Sequence, residues 1–276
     1  MEHISKNVLI SLTGTPAIRL GGVRQRLSLS KQTQILLFML SAYANRGVRR
    51  ERIAEHLWPD TADQRANSAL NTAVWRVKRA IACYDGLEIQ TFDGLIKLNI
   101  SAPSAIDSHQ LEEAVMADEG QISTNSNIGN SEAKITKALE VCRGPFMEGF
   151  SSDWILPLRE RYHEIWVQAL RRLMGFASSR ADYTKALIWG REILNADPFR
   201  ENIQQDVMRL YALNGQRAKA ILQYKGLREL LRRELGIEPL PETVALANRL
   251  CGVKPFDNHT FQVRTEPIGP ALRTTP

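Results

Sequence analysis

From Asp63 to about Cys83 the sequence sets basic and amide side chains on one side of a helical pattern. At ~100° per residue, Leu70, Val74, Val77 and Ile81 form a narrow apolar stripe. The opposite face carries Arg65, Ser68, Thr72, Trp75, Arg76 and Arg79, with Asn71 and Lys78 flanking it. These residue types suit the major groove, which admits an α-helix. Arg reaches guanine O6 and N7, Asn pairs with adenine, and the methyl of Thr meets that of thymine. Lys and Arg at the edges hold phosphates. Composition alone also allows an ordinary solvated face. Trp75 weighs against that, since a large aromatic on a solvent face is uncommon without a partner. Its other outcome is to fold back on a neighbouring hairpin.

The elements around this helix decide what it can reach. Asn7–Thr13 is apolar and β-prone, Gly14-Thr15-Pro16 is a turn, and Ala17–Leu20 and Gln25–Leu29 suggest short strands around Gly21-Gly22. The period then changes. Ile35, Leu36, Phe38, Met39, Leu40 and Tyr43 predict a largely buried helix over Lys31–Ala44, ended near Gly47. Arg50–Trp58 is a second, short helix, stopped at Pro59-Asp60. After the third helix, Leu87–Phe92 and Leu95–Ile100 flank Asp93-Gly94, a strong hairpin signal. Strands, three helices and a hairpin in this order make a winged helix-turn-helix, with the third helix poised for the major groove.

Residues 1–105 form this first domain, and Ser101–Ser104 is a plausible boundary. The second, 106–251, reads as helical: 107–117, 132–142, 152–178, 182–195, 199–213, 216–234 and 240–251. Asp118–Ser131, rich in Gly, Asn and Ser, reads as a loop or flexible insertion. A shift of 34 residues lays Lys185-Ala186-Leu187 on Lys219-Ala220-Ile221, and Ile193 on Leu227. That is the tetratricopeptide period. The tail 252–276 holds four of the twelve prolines and is expected to be disordered. The expected fold is thus mainly α with small β elements, a winged helix followed by tetratricopeptide-like repeats.

Charge follows the same division. The net charge is +6, with 14 Lys/Arg against 8 Asp/Glu in residues 1–105 and 22 against 22 beyond. A basic domain joined to a neutral one suggests a polyanion-binding module attached to something else. Cys83, Cys142 and Cys251 lie far apart and read as free thiols; the five histidines are scattered. No zinc site, phosphate-binding loop or nucleophile elbow is spelled out, so neither an enzyme nor a cofactor is expected. The apolar run Ile35–Leu40 is far short of a membrane span, and no secretory signal is visible. A cytoplasmic location, with no membrane partner, is the expectation.

The N-terminal strands, the segment Arg52-Ile53-Ala54-Glu55-His56-Leu57-Trp58-Pro59-Asp60, the helix from Asn67 to Ile81 and Asp93-Gly94-Leu95-Ile96-Lys97-Leu98 resemble an OmpR-type winged helix. More narrowly, they resemble its version in SARP-type regulators, where a bacterial transcriptional activation domain follows. The likeness continues through Cys142-Arg143-Gly144-Pro145-Phe146, Asp197-Pro198-Phe199-Arg200-Glu201 and Glu234-Leu235-Gly236-Ile237-Glu238-Pro239, and spans roughly residues 5–251. It implies an activator that binds double-stranded DNA at promoter direct repeats, as a dimer or tandem protomers, and assists RNA polymerase. By that likeness Arg76 matches a strong basic position, and Lys78 and Arg79 the following basic pair; the wing residue Lys97 stands near a position where the family often has a bulkier Arg or Tyr. Ala73 and Trp75 depart from the family, where His, and Ser or Arg, are frequent. The rival expectation is an interaction or effector-binding module whose winged helix does not bind DNA.

Overall fold

Two tight turns set the β elements, and both need left-handed backbone at their two central residues. Gly21 and Gly22 have φ of 57° and 84°, and Asp93 and Gly94 have 45° and 70°. Turns of this hand match the twist of the strands they join. The computed structural model describes residues 8–101, 105–117 and 125–252. These fall in two compact units. The first holds the chain up to Met116 together with Lys137–Glu164; the second holds the chain from Ile165 and the segment before Lys137.

In the first unit β1 (Val8–Ser11), β2 (Ala17–Leu20), β3 (Val23–Arg24) and β7 (Ala105–Ile106) form a sheet in the order β3-β2-β1-β7. β7 runs parallel to β1 and the other pairs are antiparallel. The strand expected over Gln25–Leu29 is absent. The diglycine turn pairs Leu20 with Val23, so the returning strand begins at once and ends at Arg24. A second sheet has the order β4-β6-β5, from β4 (Val48–Arg49), β5 (Leu87–Phe92) and β6 (Leu95–Ile100). The expected Asp-Gly hairpin is present with Phe92 opposite Leu95.

Three helices complete this part of the unit: α1 (Lys31–Ala42), α2 (Arg50–Leu57) and α3 (Asp63–Ile81), with β4 between the first two. Ser30 caps α1, its Oγ accepting from the Thr33 N–H at 3.4 Å. Leu36, Leu37, Phe38, Met39 and Leu40 of α1 are all buried, with Ile53 and Leu57 of α2 and Leu70, Val74, Val77 and Ile81 of α3. The stripe read from the sequence is therefore the packed face of α3, widened by Ala66 and Ala73. Asn45, in left-handed backbone, ties the end of α1 to β6. Its N–H donates to the Leu98 carbonyl at 2.9 Å, and its Oδ1 accepts from the Ile100 N–H at 2.9 Å.

Asp107, the first residue of α4 (Asp107–Met116), is fully buried. Its carboxylate accepts from the backbone N–H groups of Leu12 (2.8 Å), Thr13 (3.1 Å) and Ser108 (2.7 Å), and from Thr13 Oγ1 (2.6 Å). One acid thus satisfies backbone donors just after β1. Burial nevertheless pushes its pKa up, outweighing those hydrogen bonds. Residues 144–150 join the same unit: Gly14 N–H donates to the Pro145 carbonyl at 2.8 Å, and Phe150 meets Phe38 edge-on at 6.2 Å.

α5 runs over Asn125–Val141 and α6 over Ile155–Ser179. Asp118–Ser131 was expected to be a loop, but the helix already begins at Asn125. Residues 118–124 lie outside the described residues, as does the expected disordered tail from residue 253. Pro157 does not break α6, because it sits in the first turn, where its missing N–H costs nothing. In the second unit α7 (Tyr183–Ala196), α8 (Glu201–Leu213), α9 (Arg217–Leu235) and α10 (Pro241–Cys251) pack in sequence. α7 and α9 start at residues 183 and 217, as the repeat requires. Ala186 and Ala220, one period apart, are both fully buried, as are Ile193 and Leu227 to within 2%. Gly190 lets α7 approach α8: a Cβ there would lie 2.7 Å from Val207 Cγ2.

Candidate nucleic-acid interface

α3 is amphipathic over its whole length, and its packed stripe leaves the other face to solvent. Arg65, Ser68, Asn71, Thr72, Trp75, Arg76, Lys78 and Arg79 are all exposed, so one helix brings these expected site residues together. Asp63 in the first turn and Lys78 and Arg79 in the last complement the helix dipole. Among the described residues, Arg65, Arg76, Lys78 and Arg79 form no ion pair. The field of the face is therefore positive and unneutralised.

The polar side chains on it differ in what they have left to offer. Ser68 Oγ donates to the Gln64 carbonyl at 3.0 Å and Thr72 Oγ1 to the Ser68 carbonyl at 3.1 Å. Both hydroxyl protons are engaged by the helix, which leaves these residues acceptor lone pairs and the Thr72 methyl outward. Trp75 is 57% exposed and does not fold back on the wing. The Arg79 guanidinium lies over its ring, 5.4 Å from the centroid. This one-turn pair orients the arginine and gives the aromatic its partner.

The wing meets α3 through β5, and its far edge is β4, a two-residue strand the sequence did not reveal. β4 pairs Val48 with Ile96 and Arg49 with Leu95. Lys97 lies in the middle of β6, opposite Gln90, half-buried and away from the turn at Asp93-Gly94. It shares a face with Leu95 and hence with Arg49. Phe92, half exposed, stands next to the turn. Arg49 and Arg50 were missed as candidates. Arg50 begins α2, donates its backbone N–H to the Gly94 carbonyl at 2.9 Å, and places Nη2 2.5 Å from Asn71 Oδ1. The dibasic Arg49-Arg50 pair at a helix start was the available signal; the contact across 21 residues was not.

Among the described residues no group of three or more His, Cys, Asp or Glu could hold a metal ion. Cys83 and Cys251 are exposed, and burial pushes the Cys142 thiol up to about 11, so it stays protonated near neutrality. Among the described residues no helix is long and apolar enough to cross a membrane.

A winged helix with an open basic third helix, followed by helical repeats, is the build of a two-part transcription regulator. The family model of the bacterial transcriptional activator domain matches residues 106–251. The chain is 24% identical over 259 residues to the transcriptional regulatory protein MoaR1 of Mycobacterium tuberculosis, covering 91% of this chain and 81% of that protein. It is 22% identical over 226 residues to the regulatory protein AfsR of Streptomyces coelicolor, covering 82% of this chain and 22% of that protein. Among solved structures, Mycobacterium tuberculosis EmbR in complex with a low affinity phosphopeptide has a similar fold. Its TM-score is 0.70 at 17% identity, over 91% of this chain and 67% of that one. The chain belongs to the bacterial transcriptional activator domain family and is a transcriptional regulator of the SARP type.

Proposed function

We propose that this regulator activates transcription by binding direct repeats at promoters through α3 in the major groove, and that it assists RNA polymerase there. The observation that carries the reading is the exposed α3 face, on which four cations stand without an acidic partner among the described residues. Such a face costs self-repulsion in the free protein and is neutralised by phosphates. In this reading Arg76, Asn71, Thr72 and Ser68 meet base edges. Arg65, Lys78, Arg79 with Trp75, and Lys97 of the wing hold the backbone. Residues 1–105 then supply DNA binding and 106–251 the protein contacts, with two protomers side by side on the repeats and a cytoplasmic site of action.

Titration of the full chain against promoter duplexes at several salt concentrations tests it. Affinity should fall steeply with salt, and Lys78→Ala should reduce the slope of log K against log salt by about 1 without changing sequence preference. A flat salt profile would contradict phosphate anchoring. It would leave the rival reading, an interaction module whose winged helix does not bind DNA.

A further inference from the structure

Asn71 is held, and the way it is held limits what it can present. Arg50 Nη2 lies 2.5 Å from Asn71 Oδ1. A guanidinium carries only donors, so the carboxamide atom facing it is the oxygen; one of its two lone pairs is taken and lies under a cation, while the amide NH₂ keeps both its donors for a ligand. Arg50 is fixed in turn. It follows β4 directly, opens α2, and is tied by its backbone to the wing turn at Gly94. Among the described residues it has no carboxylate partner. The remaining Arg50 N–H groups and the Asn71 NH₂ therefore form an array of donors on the flank of α3 nearest the wing.

A lone asparagine reads adenine because it both donates to N7 and accepts from the N6 amino group. Here the accepting half is turned to a cation, and an adenine N6–H₂ would bring a donor against that cation. Guanine offers two acceptors, N7 and O6, at the same edge. We propose that Arg50 and Asn71 act as one reading unit that selects guanine over adenine at one position of the operator. The proposal rests on α3 lying in the major groove, and it names Arg50 as a specificity-determining residue outside the recognition helix.

Selection from randomised duplexes tests it, using the full chain, Arg50→Met and Asn71→Ala. Arg50→Met keeps the aliphatic stem and the backbone bond to Gly94, and Asn71→Ala changes an exposed helical position. Melting curves check that both variants fold. In the unaltered chain one motif column should favour guanine over adenine by roughly 10-fold. Asn71→Ala should lose that preference in the same column. Arg50→Met, which frees Asn71 Oδ1, should move the column towards adenine, with the other columns unchanged. An Arg50→Met motif identical in every column would overturn the proposal while leaving the major-groove reading intact. So would a uniform loss of affinity across all sequences, which would make Arg50 a phosphate anchor. Sequence-specific binding in which the Asn71-dependent column favours adenine would overturn it too. Absence of any sequence preference in the unaltered chain would overturn both readings together.

Discussion

α3 and α9 are both 19 residues long and rich in Lys and Arg, yet they use their cations differently. α9 carries six, Arg217, Lys219, Lys225, Arg228, Arg232 and Arg233, against Glu229 and Glu234; α3 carries four against Asp63. By count α9 is the more basic helix. Much of its charge is spent within the fold, however. Arg217 donates to the carbonyls of Leu250, Cys251 and Gly252, closing the end of α10. Arg228 pairs with Glu238 and Arg233 with Glu234, each at 2.8 Å. On α3 the one organised cation, Arg79, rests on an aromatic ring, which orients the charge without neutralising it. Charge that the fold has not used thus sets α3 apart, and a residue count alone would have pointed to α9 instead.

The largest effect on stability is expected where a charge is wholly spent. Asp107→Ala leaves the N–H groups of Leu12 and Thr13 buried without their acceptor, at about 1–3 kcal/mol each. Thermal melting should show a severe loss, and a variant as stable as the parent would break the assignment. Asp107→Asn isolates its titration. The folded-state pKa lies above the unfolded one, so this group's contribution is complete below the ordinary carboxylate value of about 4. It is lost as pH rises through the raised value. The margin of the parent over Asp107→Asn should therefore shrink as pH rises from about 4; a margin that grows would mean that folding lowers the Asp107 pKa instead.

Arg217→Ala comes next. It removes donors from three carbonyls at the end of α10, and about 1–2 kcal/mol of stability should go with them. DNA affinity should stay within twofold, measured by fluorescence anisotropy on the folded variant. A large loss of affinity would erase the distinction between the two helices. The smallest effect is expected at Glu238→Gln. Its pair with Arg228 lies in solvent, where such pairs contribute little, so neither melting temperature nor DNA affinity should move measurably.

What could be read from the sequence follows from which features are local. The Asp93-Gly94 turn, the buried stripe of α3 and the 34-residue spacing of α7 and α9 are periodic or turn-specific, and each lies where it was expected. β4 and β7 are two residues each, too short to carry a period, so only their long-range pairing reveals them. Gln25–Leu29 has strand composition, but the turn at Gly21-Gly22 had already set the register. Within the candidate interface, the face of α3 was legible down to single residues, because 3.6-residue geometry fixes it. The Arg79–Trp75 pair is one helical turn apart and could have been read as well. Arg50 and Asn71 meet only because the wing and the recognition helix fold together, and no local pattern announces that. Lys97 was grouped with the wing correctly, yet it lies mid-strand and half-buried, whereas Phe92 beside the turn is the more exposed of the two.

Whether the unspent charge on α3 binds DNA is best decided by genome-wide occupancy of the intact protein beside its Arg76→Ala variant. The parent should occupy discrete sites containing a direct repeat. The variant should lose those sites, in line with about 1–3 kcal/mol of binding free energy. Identical occupancy by the two proteins, or no discrete sites for an expressed and folded parent, would contradict DNA binding by that charge.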